Sequence, residues 1–141
     1  MNWQTFLMAT VVAAAVRPAY PAADNRVAVD VMATTPDQVG MRLAYQLREQ
    51  LARSSVFRQQ VPDDKTYVVM SLITLDAESD ARQLGRVTTY SFAVLWAISR
   101  RGARLSLGHS VGTCGGGIVA SCAETLLAEM AVKYEEFVRI K

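Results

Sequence analysis

Histidine and cysteine are almost missing from this chain of 141 residues, which carries one His, His109, and two Cys, Cys114 and Cys122. One imidazole and two thiols cannot fill the Cys/His set of a structural zinc site, and the C-x7-C spacing is not that of the common zinc pairs. The same spacing excludes C-x-x-C redox chemistry. Charge of one sign is scarce as well: 15 basic against 13 acidic residues leave a net charge of +2. Nucleic acid or an anionic membrane surface asks for a clustered basic face, and none is evident. Arg100, Arg101 and Arg104 do cluster, but around Gly102 in what reads as a solvated hairpin tip. The apolar run Phe6 to Val16 falls short of the roughly 20 residues that span a bilayer. Repeats, linkers and low-complexity tracts are absent, and with 51% hydrophobic residues disorder is not indicated.

What the N-terminus does contain is that apolar run followed by Arg17-Pro18-Ala19-Tyr20-Pro21-Ala22-Ala23 and then by ordinary soluble sequence. The shape predicts a secretory signal peptide over residues 1–23, with a single domain over residues 24–141 exported to the periplasm or secreted. No Cys lies at the boundary, so no lipid anchor and no stable membrane attachment of the mature chain is expected. The alternative is an N-terminal helix of a cytosolic structural domain, which Pro18 and Pro21 would break at once.

The pattern from residue 26 onward reads β-α-β-β-β-α. Val27, Val29 and Val31 alternate as a half-buried strand. Thr35 as cap, Pro36 at the first helical position and Gln38 completing a capping box open a helix whose apolar stripe is Val39, Leu43, Leu47 and Leu51. Phe57 is expected to tuck its ring beneath that helix. Tyr67 to Leu75 is apolar on both parities and reads as a central strand. Val87 to Ile98 places Tyr90, Phe92, Val94, Trp96 and Ile98 on one parity, facing the helices, and Thr89, Ser91 and Ala93 on the other. Arg104 to about Val111 returns, Gly112 to Gly117 reads as a loop, and a helix from Val119 to Val138 closes the chain. The expected fold is thus α/β (α+β), a two-layer sandwich with a four-stranded mixed sheet and two helices on one face.

Four stretches carry candidate chemistry. Gly108-His109-Ser110-Val111-Gly112 is a literal G-x-S-x-G and resembles locally the nucleophile elbow of α/β-hydrolases. That family places its catalytic His after the nucleophile, whereas the one His here sits beside the serine, so no downstream base exists for Ser110. The glycines of Gly112 to Gly117 ahead of the last helix form a possible anion cradle, but neither a P-loop nor G-x-G-x-x-G is present. Cys114 and Cys122 fit a disulfide in an exported protein and two buried thiols in a cytosolic one. Asp76, Glu78 and Asp80 alternate in a loop without EF-hand spacing and read as a solvated connection. No catalytic, metal or cofactor set is complete, and none is expected.

A broader resemblance lies in the helix end Leu47-Arg48-Glu49-Gln50-Leu51-Ala52-Arg53-Ser54-Ser55-Val56-Phe57 followed by the strand Tyr67-Val68-Val69-Met70-Ser71-Leu72-Ile73-Thr74-Leu75. With the Val-rich first strand and the terminal helix, it resembles the small α/β domains of bacterial envelope proteins, such as the amino-terminal domain of TolB and periplasmic assembly lipoproteins. The resemblance implies a non-enzymatic role, docking to another envelope protein through a sheet edge, a helix face or a terminus. The sheet face carrying Thr89, Ser91 and Ala93, which two helices on the other side would leave open, is the expected contact surface.

Overall fold

A computed structural model of the chain describes residues 24–77 and 85–140, so the expected leader and the Glu78–Asp80 part of the acidic loop lie outside the described residues. The elements are β1 (Val27–Thr34), α1 (Gln38–Arg53), β2 (Phe57–Gln59), β3 (Thr66–Asp76), β4 (Val87–Ile98), β5 (Ala103–Gly115) and α2 (Val119–Ile140), with a 3-10 turn over Ser99–Arg101. One mixed sheet runs in the order β2-β1-β3-β4-β5. β1 pairs in parallel with β2 and β3, while β3, β4 and β5 form an antiparallel meander. Both helices pack on one face, and the core is built from Val29, Val31, Leu43, Leu47, Met70, Leu72, Phe92, Val94, Leu126 and Met130 with their neighbours.

The expected layering and the two helical stripes hold. Val39, Leu43, Leu47 and Leu51 are all buried, as are Val119, Ala123, Leu126 and Met130. The sheet has five strands rather than four. The extra one, β2, is only three residues long, too short to show an alternation. Its placement is set by the end of α1: the Ser54 amide donates to Leu51 O, and the Ser54 hydroxyl accepts from the amides of Val56 and Phe57 at 3.2 and 3.0 Å. The Val27 amide then donates to Val56 O. Phe57 is buried as expected, edge-on to Tyr134 with ring centroids 6.5 Å apart. β5 is also longer than its sequence suggests. It pairs with β4 as far as Gly115, so most of the glycine-rich stretch is strand rather than loop. The glycine at 112 lies under the Tyr90 ring, where a Cβ would come within 2.6 Å of Oη. The reversal between β4 and β5 needs Gly102, whose φ is +58°.

The helix start differs too. Asp37, not Thr35, caps α1, and the capping box with Gln38 is not the device used. Asp37 Oδ1 accepts the Gly40 amide at 2.7 Å, and Oδ2 accepts the Thr74 hydroxyl of β3 at 2.5 Å. The cap is therefore chosen by a tertiary contact 37 residues away in sequence, which local spacing does not reveal. Burial pushes the Asp37 carboxyl upward, but hydrogen bonds from Thr74, the Gly40 amide and Thr88 outweigh it and hold the group below its ordinary range. At Gly40 α1 comes down directly onto β3: an added Cβ would collide with the Thr74 hydroxyl and lie 2.6 Å from Asp37 Oδ2.

At the same end of the sheet Cys114 and Cys122 form a disulfide, with Cα atoms 6.2 Å apart. It joins the last strand to the first turn of the last helix. Cys114 is fully buried opposite Thr88. Between the two cysteines the Gly116 amide donates to Arg86 O and the Ile118 amide to Gly115 O, so the short connection is held at both ends.

Three outcomes test these contacts. Asp37→Ala is expected to cost about 1–2 kcal/mol near neutral pH through loss of the cap. A depressed folded-state pKa means that this stabilisation is complete above the unfolded carboxyl value, about 3.9, and is lost as pH falls through the folded value. Urea unfolding at a series of acidic pH values should therefore show a shallower acid loss in the variant than in the parent. Gly40→Ala is expected to destabilise by about 2–3 kcal/mol, part of it relieved when Thr74→Ala is added. Replacing both cysteines by Ser should lower stability by about 2–3 kcal/mol on the chain-entropy account, seen as a lower urea midpoint.

Candidate functional site

Among the described residues no helix lies on the other face of the sheet, and strand pairing decides which side chains share it. Ala28, Val69 and Ala97 at one end of that face are buried, whereas the rows at its other end are open. Directly paired residues point to the same side. Thr89, Ser91 and Ala93 of β4 thus stand beside Leu75, Ile73 and Ser71 of β3 and beside Thr113, Val111 and His109 of β5. Met32 and Thr34 of β1 extend the same rows. The result is an uncharged surface with large apolar side chains well exposed: Leu75 63%, Val111 75%, Ile73 50% and Met32 43%. The charged residues of this face, Asp30, Arg58 and Arg104, lie toward its other end, in the rows of Val69, Ala28 and Ala97. The expected contact residues Thr89 and Ser91 are exposed and Ala93 is partly so. Ile73, Leu75, Val111 and Met32 were not singled out from the sequence. Their shared side becomes visible only once the register of four strands is known.

The G-x-S-x-G segment has a packing explanation. Ser110 faces the helices, where its hydroxyl donates to Glu129 Oε2 at 2.9 Å, and Lys133 lies 3.6 Å from the other oxygen of that carboxylate. His109 is its immediate neighbour in an extended strand and therefore projects from the opposite face, beside Ala93. The structure does not bring the imidazole to the hydroxyl. The two glycines leave room for side chains reaching across: Lys133 covers Gly108, where a Cβ would meet Nζ at 2.6 Å, and Tyr90 covers Gly112. In the glycine-rich approach to α2, the Gly116 amide is already donated to Arg86 O.

A second polar cluster, not anticipated from the sequence, stands at the β2 edge. Arg58 makes a two-pronged ion pair with Asp64, and one Asp64 oxygen also accepts the Val61 amide at 2.8 Å. Arg26 holds Asp24 at 2.8 Å and reaches Ser54 O at 3.2 Å. The Arg26 guanidinium lowers the Asp24 carboxyl to about 2, and the Arg58 guanidinium lowers that of Asp64. Two cations face two carboxylates beside a shallow hollow that Ala52, Gln59 and Val61 help to line. The charges are spent on one another, and the cluster ties the start of the domain to its short edge strand. Among the described residues, no group of three His, Cys, Asp or Glu side chains is placed to hold a metal ion. No helix among them is long and apolar enough to cross a membrane.

No protein-family model matches the chain, and no curated protein matches it. Similar solved structures exist at low identity. The PelC dodecamer from Paraburkholderia phytofirmans is 15% identical, with 75% of this chain and 86% of that chain covered and a TM-score of 0.48. The hypothetical protein CT253 from Chlamydia trachomatis is 8% identical over 82% of this chain and 99% of that one, with a TM-score of 0.46. Lipoprotein GNA1162 from Neisseria meningitidis is 10% identical over 76% of this chain and 96% of that one, with a TM-score of 0.36.

Proposed function

We propose that the protein is a non-enzymatic interaction module of a bacterial cell envelope, exported from the cytoplasm and docked to another envelope protein through its uncovered sheet face. The observation that carries this reading is the uncharged surface around Thr89, Ser91, Ala93, Ile73 and Val111. A soluble domain seldom leaves apolar side chains grouped on one face without a contact for them. The disulfide between Cys114 and Cys122 supports an oxidising address, and the leader-like residues 1–23 supply a route to it. Small side chains on β4 let a partner approach the sheet closely, and the larger ones on β3 and β5 offer the area to bury.

Intact mass and partner capture test the two halves of this reading. The natively expressed chain, alkylated without reductant, should have lost about its first 23 residues and carry no alkylated cysteine; a full-length chain with two alkylated thiols overturns the address. Thr89→Arg and Ala93→Arg, each placing a guanidinium on the open face, should abolish partner capture while the circular dichroism spectrum is unchanged. Undiminished capture by a folded variant overturns the contact surface.

A further inference from the structure

The open face has relief. On β3, Ile73 and Leu75 form one ridge, and on β5, Val111 stands as another. Between them β4 presents only Thr89, Ser91 and Ala93. Strands two apart are separated by about 9.6 Å, twice the interstrand spacing, so the floor of small residues is a trough wide enough for one row of apolar side chains. Packed sheets lie about 10 Å apart with their inner side chains interdigitated. A ridge of Ile and Leu height is what would fill the trough at that distance, and the chain carries such a ridge on the same face. We propose that the partner of this face is a second copy of the same chain, packed sheet against sheet about a two-fold axis, with the Ile73–Leu75 ridge of each copy seated in the Thr89–Ser91–Ala93 trough of the other.

The inference rests on the sheet face being the docking surface and makes the envelope protein docked there a second copy of this chain rather than a different protein. A two-fold contact requires one patch to be complementary to itself, since each residue meets the same surface on its partner. Charge usually prevents this by placing like groups opposite one another. Here the rows Met32–Ser71–Ala93–His109, Thr34–Ile73–Ser91–Val111 and Leu75–Thr89–Thr113 contain no Lys, Arg, Asp or Glu. Area permits it as well. Four strands at about 4.8 Å by six residues at about 3.4 Å give a footprint near 400 Å² in plan. The relief raises the accessible surface of each copy above that figure, so two copies together bury on the order of 1,000 Å², the lower bound for a specific interface and the size of a weak, concentration-dependent one.

Sedimentation equilibrium of the exported protein over a range of concentrations tests this. The mass of two protomers is expected, with Ser91→Asp and Ile73→Lys each weakening association about a hundredfold. A mixture of those two variants should recover the two-protomer mass, because the new cation of one meets the new carboxylate of the other while the second ridge–trough contact stays native. Near-native circular dichroism and thermal midpoints show that each variant is folded. A single-protomer mass at every concentration, a dimer that survives both substitutions, or a mixture that fails to associate overturns the proposal. The two readings fail separately. If the parent chain is a monomer and Thr89→Arg still abolishes capture of another protein, the docking face stands and the second copy does not. If neither the mass nor capture responds to any of these substitutions, both fall.

Discussion

The packing of this domain depends on one carboxylate. Asp37 closes the first turn of α1 with one oxygen and receives Thr74 of β3 with the other. That double use sets where along the sheet the helix begins, and therefore which residues of its stripe meet the core. Gly40 is the counterpart, since only a residue without Cβ lets the helix come down onto the Thr74 hydroxyl. With α1 fixed on β3, the Leu43, Leu47 and Leu51 side chains fall over the centre of the sheet, and α2 packs beside α1 on the same face. Gln50 of α1 even donates to Ala120 O of α2. Both helices being committed to one side leaves the rows around Ile73, Leu75 and Val111 on the other side open, so the candidate contact surface follows from the same clamp.

The legible parts of the fold were those written in periodic apolar positions. The stripes of both helices, the boundaries of β4 and the side of β4 that faces the helices could be read from spacing alone, because burial at a period of 3.6 or 2 leaves a direct trace. The parts that escaped are those decided by contacts between distant residues. Thr35 and Asp37 are both acceptable caps locally, and Thr74 selects between them. β2 is too short for a pattern, yet the segment Leu51-Ala52-Arg53-Ser54-Ser55-Val56-Phe57 held its explanation: two buried apolar anchors flank a serine that ends the helix and receives the amides of the next strand. The layout that suggested an envelope-type domain thus has a physical meaning as a helix-to-strand corner.

Glycine misled in one direction. Gly112 and Gly115 lie within β5 although their composition argues for a loop, while Gly108 lies in the strand as expected. At two of these positions the missing side chain makes room for another, Lys133 over Gly108 and Tyr90 over Gly112. With Ser110 between them bonded to Glu129, one strand face carries small residues wherever α2 or β4 sends a long side chain across. A catalytic motif and a packing solution share the same letters here. Their difference lies in where His109 points, which the alternation of a strand settles.

The edges and the open face of the sheet are treated differently. A strand edge offers unpaired backbone groups, and proteins blunt such edges by shortness, charge or bulges. β2 is three residues long and carries the Arg58–Asp64 ion pair, while the pairing of β5 with β4 shifts register beside Val94 and Leu95, where the ladder is broken. The open face has no comparable device around Ile73, Leu75 and Val111. No lysine or glutamate interrupts those rows, although the chain has charged residues to place and sets Asp30 and Arg104 elsewhere on the same face. Folding alone does not require an uncharged row at an exposed site, since a charged side chain there would cost little. Edges blunted against further strands, beside a face left apolar, favour association by stacking of sheets over extension of the sheet.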